Sequence, residues 1–194
     1  MSTLLATLGA KNTHALYEAQ MRVASPLGPV LLARTNQGLA GLWFEGQKDC
    51  PDLSHVASPS GDVLLKQVGQ QLQDYWNAGP TETPRFEVPL DLIGTPFQRS
   101  VWQALLDIPY GSTTGYGDIA RQVNSPQSSR AVGAAVGRNP ISIIVPCHRV
   151  VGSHTQLTGY SGGMHRKVAL LQQEGHAIHG DRVTPLIKKQ TALL

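Results

Sequence analysis

Apolar and polar positions follow two different periods along this chain. From Ala19 to Ala33 and from Gly38 to Phe44 the apolar residues come in short runs. Pro26, Gly28, Pro29 and Asn36-Gln37-Gly38 break those runs, which predicts a small antiparallel meander. Lys48 to Gly61 is rich in Pro, Ser and Asp and reads as a loop. From Asp62 to Trp76 the period becomes helical. Val63, Leu64, Val68, Leu72, Tyr75 and Trp76 form one stripe, Asp62 is the N-cap, and Gly79-Pro80 is the stop. Phe86 to Leu92 reads as a further strand, with Pro89 placing it at a sheet edge.

The second half changes character at Gly94-Thr95-Pro96. Thr95 caps a helix, Pro96 sits at its first position, and Phe97, Val101, Trp102, Leu105 and Leu106 supply its buried face. Ile108-Pro109-Tyr110-Gly111 ends it. A short helix follows from Tyr116 to Val123, then a turn at Asn124-Ser125-Pro126-Gln127. A second helix begins at Ser128 or Ser129 and runs to about Arg138, completing the outline of a helix-turn-helix. Ile141 to Val145 reads as a buried strand that Pro146 terminates. Gly152 to Thr158 is a loop, Met164 to Gln173 a helix closed by Glu174-Gly175, and Asp181 to Leu194 an unassigned tail. The expected fold is α+β. A small N-terminal antiparallel-sheet domain with one helix (1–92, of which 1–16 is an extension) precedes a mostly helical C-terminal domain (93–194) carrying the helix-turn-helix.

Composition adds three constraints. At 194 residues, the chain is long enough to bury a core, and no apolar run is long enough to span a bilayer. Residues 1–16 lack the charged n-region of a signal peptide and the arginines of a transit peptide. Two distant cysteines fit reduced thiols in a cytoplasmic setting; they exclude a four-cysteine zinc site, and the histidines show no metal-ligand spacing. The net charge of +3 is unevenly spread: residues 1–96 sum to −3 and residues 97–194 to +6. A basic half behind an acidic one points to a polyanion as partner of the second domain.

The candidate chemistry lies at Cys147-His148-Arg149. A free thiol with pKa near ~8.5 needs activation at neutral pH, and an adjacent imidazole can remove its proton directly or through water. The same adjacency also fits a structural cysteine beside a hydrogen-bonding histidine. The helix Arg130-Ala131-Val132-Gly133-Ala134-Ala135-Val136-Gly137-Arg138 is unusual, because each interior glycine costs roughly 0.8–1 kcal/mol against alanine. Val132 and Val136 pack inward, which leaves a nearly bare face with an arginine at each end. Such a face suits close approach to another helix or to a nucleic-acid groove, and it lacks the Asn, Gln or Arg that read base edges. Gly159-Tyr160-Ser161-Gly162-Gly163 can wrap closely around a flat ligand and offer backbone N–H donors.

Thr95-Pro96-Phe97-Gln98, Ile108-Pro109-Tyr110-Gly111, Ser129-Arg130-Ala131-Val132-Gly133, Asn139-Pro140, Ile144-Val145-Pro146-Cys147-His148-Arg149-Val150 and Gly159-Tyr160-Ser161-Gly162-Gly163 occur in that order. In these the chain resembles the O6-alkylguanine-DNA alkyltransferases (methylated-DNA–protein-cysteine methyltransferases), strongly from about Ile93 to His176 and faintly before. The resemblance implies that Cys147 accepts an alkyl group from O6 of guanine in an irreversible, stoichiometric transfer. It implies that His148 activates Cys147 through a water, with Glu174 behind it, and that Tyr116 gives a proton toward N3 of the leaving base. It further implies that Ser161 donates from its backbone toward O6 and that the Val150 and Cys147 carbonyls accept from the guanine amino group. Tyr160 belongs to the same substrate-binding set, Asn139 braces the turn, and Lys167 joins the hydrogen-bond network.

For DNA, the resemblance implies that Arg130 fills the gap left by a flipped base. The face formed by Ala131, Gly133, Ala134 and Gly137 enters the minor groove. The implied partner is double-stranded DNA with an alkylated guanine, bound by a protein that is monomeric in solution and capable of clustering on DNA, with no cofactor, metal or membrane. The loop Ser153-His154-Thr155-Gln156 departs from the family pattern, which leaves the tolerance for groups larger than methyl open. Two other readings use the same residues. A cysteine hydrolase built on Cys147 and His148 would need an oxyanion hole and would turn over. A non-catalytic lesion-binding protein of the alkyltransferase-like kind would lack the acceptor cysteine.

Overall fold

The computed structural model describes residues 16–79 and 82–184. The chain divides into two compact units. The first comprises Met1–Asn77, Pro84–Ile93 and Pro140–Ser142; the second comprises Ala78–Thr83, Gly94–Asn139 and Ile143–Leu194. This differs from a single cut after Leu92: Ala78–Thr83 falls in the second unit, while Ile93 and Pro140–Ser142 fall in the first. The extension expected over residues 1–16 lies, apart from Leu16, outside the described residues.

The first unit is built on the antiparallel meander β1 (Ala19–Val23), β2 (Val30–Arg34) and β3 (Leu39–Phe44), in that spatial order. Every residue of β3 is buried. Trp43 folds back over Gly41 so closely that a Cβ there would lie 1.8 Å from the indole, so only glycine fits. Helix α1 (Val63–Asn77) packs on β1 and β2 through Leu65, Val68, Leu72 and Tyr75, and Asp62 caps it by accepting from the Leu65 amide.

Phe86 to Leu92 is not a strand. Only Leu90 bridges, to Leu39, with the Leu39 amide donating to the Pro89 carbonyl and the Asp91 amide to the Leu39 carbonyl. Pro84 and Pro89 lack the N–H groups a longer ladder needs. Ile141 to Val145 is not a strand either. Ile141 bridges to Leu42, which covers more of the β3 edge. Ile143 then turns the chain at φ +69°, a left-handed conformation that costs a β-branched residue strain.

In the second unit, α2 (Pro96–Leu106) starts with a reciprocal capping box. The Thr95 hydroxyl accepts from the Gln98 amide, and the Gln98 side chain accepts from the Thr95 amide. β4 (Thr114–Gly115) leads directly into α3 (Tyr116–Gln122). Asn124, at φ +55°, turns the chain toward α4 (Ser129–Gly137). The Trp102 indole donates to the Ala135 carbonyl at 2.9 Å and so ties α2 to α4. β5 (Val150–Val151) pairs in parallel with β4, and α5 (Met164–Gln173) follows. After His176 the chain forms an antiparallel hairpin of β6 (Ala177–His179) and β7 (Arg182–Thr184), the second strand falling in the tail left unassigned from Asp181. The rest of the tail lies outside the described residues. The expected class holds: a sheet-and-helix module, then a mostly helical one with a helix-turn-helix.

Candidate active site

The turn forced at Ile143 delivers Val145, Pro146 and a 3-10 turn, Cys147–Arg149, into the interior of the second unit. Cys147 is 2 % exposed and His148 is fully buried. Asn139, at the end of α4, fixes this turn. Its side-chain amide donates to the Val145 carbonyl at 2.8 Å and to the Cys147 sulfur at 3.0 Å. Burial pushes the Cys147 thiol up. The Asn139 hydrogen bond, the charge of Lys167 and the neighbouring Tyr160 hydroxyl pull the other way without overcoming it. At rest the sulfur therefore carries its proton, and a base must act on it.

His148 Nε2 lies 2.8 Å from Glu174 Oε1, while Nδ1 has no hydrogen-bond partner among the described residues. With Nε2–H donated to the carboxylate, Nδ1 holds the free lone pair and is the basic nitrogen. Burial lowers the His148 pKa against the pull of Glu174, so the ring is neutral and ready to accept. Glu174 is completely buried. Burial alone would raise its pKa, but His148 and Arg149 outweigh it and hold the carboxyl far below the usual carboxylate range. Arg149 donates through Nε to Oε2 at 2.8 Å and through Nη2 to Oε1 at 2.9 Å, and the Gly111 amide donates to Oε2 at 3.3 Å. Arg149 Nη1 also donates to the Ile108 carbonyl at 2.6 Å, and its guanidinium lies over the Tyr110 ring.

A second set of contacts runs from Lys167. This buried side chain on α5 donates to the carbonyls of Val150 at 2.6 Å and Thr158 at 3.2 Å. Burial drops its pKa to about 8, against an opposing pull from Cys147. The Thr158 hydroxyl is in turn 2.9 Å from the Tyr116 hydroxyl. The Val150 carbonyl accepts from Lys167 and the Cys147 carbonyl from the Val150 amide, which leaves each a second lone pair for a ligand.

Among the residues singled out from sequence, Cys147, His148, Glu174, Asn139, Tyr160, Lys167, Val150 and Tyr116 are thus linked by direct contacts or by the shared partner Thr158. Ser161 sits half-buried beside Tyr160. Arg149, Gly111 and Thr158 are additional members that sequence reasoning gave no role. Arg149 alone carried a signal, a cation directly after the Cys-His pair. Among the described residues no group of three or more His, Cys, Asp or Glu is placed to hold a metal ion.

α4 presents the other half of the candidate machinery. Val132, Ala135 and Val136 are buried against α2 and α3, while Arg130, Ala131, Ala134, Gly137 and Arg138 are exposed and Gly133 is half-buried. Among the described residues a Cβ added at Gly137 would meet nothing within 4 Å, so that glycine serves no packing among them.

Comparison with known proteins gives a consistent picture. A family model described as the 6-O-methylguanine DNA methyltransferase DNA-binding domain matches residues 96–176. A methylated-DNA–protein-cysteine methyltransferase of Mycobacterium leprae is 60% identical over 93 residues, which is 48% of this chain and 56% of that protein. The matched stretch thus spans little more than half the length of that relative. One from Methanosarcina acetivorans is 46% identical over 154 residues, covering 78% of this chain and 94% of its own. The crystal structure of Mycobacterium tuberculosis OGT in complex with DNA superposes with a TM-score of 0.72 at 45% identity. That alignment covers 80% of this chain and 92% of the other.

Proposed function

The chain belongs to the methylated-DNA–protein-cysteine methyltransferase family, and from that premise we propose that it repairs O6-alkylguanine, chiefly O6-methylguanine, in duplex DNA. The alkyl group passes to its own Cys147, once per molecule. The observation that carries this reading is the pairing of a buried, protonated Cys147 with a neutral His148 whose Nδ1 lone pair is free and whose Nε2 is tied to Glu174.

The steps balance within the chain's own groups. A water relays the Cys147 proton to His148 Nδ1, and Glu174 stabilises the imidazolium. The thiolate, supported by Asn139 and Lys167, attacks the alkyl carbon in line. A C–S bond forms as the C–O6 bond breaks. The guanine leaves with the electron pair, and Tyr116 donates a proton toward N3. Ser161 donates toward O6, and the Val150 and Cys147 carbonyls accept from the amino group.

A base inside a duplex cannot reach this sulfur and must be extruded. The exposed small-residue face of α4 approaches the minor groove, and Arg130 fills the vacated stack. One chain carries every group named, so the acting unit is a monomer, and neighbouring copies can still cluster along DNA. The need for a free thiol favours a reducing compartment such as the cytoplasm.

The test is a titration of known protein with excess O6-methylguanine duplex, counting repaired bases and weighing the intact product. One base per active molecule, with the added methyl on the peptide containing Cys147, is expected. Continued repair beyond that ratio would replace this mechanism with a turnover enzyme, because a thioether offers water no carbonyl to attack.

A further inference from the structure

The matched family segment ends at His176, yet the hairpin beyond it reaches back to the site. β6 and β7 are joined by the two-residue turn Gly180-Asp181, with Gly180 at φ +59°. Val183 anchors the hairpin, 2 % exposed and packed with Val151 and Leu171. The hairpin also grips the loop from Gly152 to Thr158. The Leu157 amide donates to the Asp181 carbonyl at 2.6 Å, the Gln156 side chain donates to the Asp181 carboxylate at 2.9 Å, and Gln156 and Arg182 form an antiparallel bridge.

The gripped loop is strained. His154 and Thr155 are consecutive non-glycine residues at φ +55° and +59°. Such backbone persists only where its surroundings over-determine it. The loop is also closed on itself. The Gly152 amide donates to the Gln156 carbonyl at 2.8 Å, and a Cβ on Gly152 would lie 2.8 Å from the Thr158 methyl. One residue past the hairpin's grip stands Thr158, which meets Tyr116 through its hydroxyl and Lys167 through its carbonyl.

We propose that the β6–β7 hairpin is a positioning and specificity-determining element of the transfer site. By holding Gln156 and Leu157 it sets Thr158 against Tyr116 and Lys167, and so fixes the room left beside them for the O6 substituent. This rests on the alkyl-transfer reading above. A loop one residue from a reacting group's partner has leverage, because a displacement of about 1 Å can change a rate roughly 10²-fold.

Two variants test it. Asp181→Ala removes an exposed carboxylate and leaves the Val183 anchor in place; Val183→Ala thins the anchor. Both are compared with the unaltered chain in single-turnover reactions on duplexes carrying O6-methylguanine or O6-benzylguanine, and Leu157 amide exchange is followed in parallel. The benzyl-to-methyl rate ratio should rise about fivefold or more in each variant. Leu157 exchange should quicken roughly tenfold. A ratio within about twofold of the unaltered chain, whether or not both rates fall together, would overturn the proposal. Unchanged Leu157 exchange would overturn it too, and that readout needs no activity. Methyl transfer by the unaltered chain is the separate check on the underlying reading.

Discussion

Arg149 holds Glu174 at two points in the protein interior, Nε on one carboxylate oxygen at 2.8 Å and Nη2 on the other at 2.9 Å. The oxygen that takes Nη2 is also the one facing His148. The carboxylate's charge is thus balanced before His148 accepts a proton. That explains how a buried imidazole can stay neutral beside an ionised glutamate and still find it waiting when the proton arrives.

Arg149→Leu should therefore do two separable things. Removing one partner of a buried pair costs roughly 3–5 kcal/mol, and urea unfolding should show a loss of that size. Without that cation Glu174 would pull harder on His148 and raise its proton affinity, so the acid limb of the transfer rate should move to higher pH. A variant that is destabilised with an unmoved acid limb would show that Arg149 supports the fold and not the base.

Cys147→Ser exchanges a soft nucleophile for an alcohol that one imidazole cannot ionise enough for displacement. Transfer should vanish while affinity for methylated duplex, measured by fluorescence anisotropy, stays within a small factor. Residual demethylation by this variant would reassign the acceptor.

Arg130 is exposed at the start of α4, so Arg130→Ala should leave the unfolding midpoint unchanged. Reaction with methylated duplex should slow markedly, because the side chain proposed to fill the stack is gone. Reaction with the free base needs no extrusion and should barely change. Equal slowing on both substrates would place Arg130's effect in the pocket.

Lys167 gives the pH dependence its direction. Below about 8 it is charged and supports the thiolate; above that it loses its proton. Its loss should blunt the rise in rate that thiol ionisation would otherwise produce, and Lys167→Met should be slower at neutral pH yet rise without that flattening. Stability runs the other way. The folded state releases this proton near 8, while the unfolded chain keeps it until about 10.5, so the folded form gains stability relative to the unfolded one across that window. Unfolding midpoints on either side of pH 8, with and without Lys167, give the sign.

Most of this was legible where the signals are local. Thr95, Pro96 and Gln98 specify a helix start within four residues, and the structure shows the complete capping box. The small residues of α4 identified the exposed face because their helical spacing separates them from Val132 and Val136. Ile141 to Val145 misled because β-branched residues favour both strands and any tightly packed interior; only the tertiary fold sets Ile143 at positive φ. Phe86 to Leu92 misled because Pro89 within it, and Pro84 just before it, allow a single bridge where a ladder was expected. The hairpin at the chain's end carried a Gly-Asp turn between Ile178 and Val183, a signal present but unread. Within the site, the Cys-His pair and Glu174 followed from a known motif. The grip of Arg149 and Gly111 on Glu174, with Arg149 held in turn by the Ile108 carbonyl, joins segments far apart in the chain, and no sequence spacing encodes it.

The covering of Cys147 bears on what this protein ignores. A thiol proposed to react only once must not be spent on whatever soluble electrophile drifts past. Cys147 is 2 % exposed and its sulfur keeps its proton, so iodoacetamide or peroxide meets a poor nucleophile behind a closed surface. The half-buried Cys50 is the more accessible thiol and should be labelled first. The protein's working lifetime in an oxidising or alkylating medium is then set by how rarely this pocket opens without DNA, making the same packing that slows its chemistry its preservative.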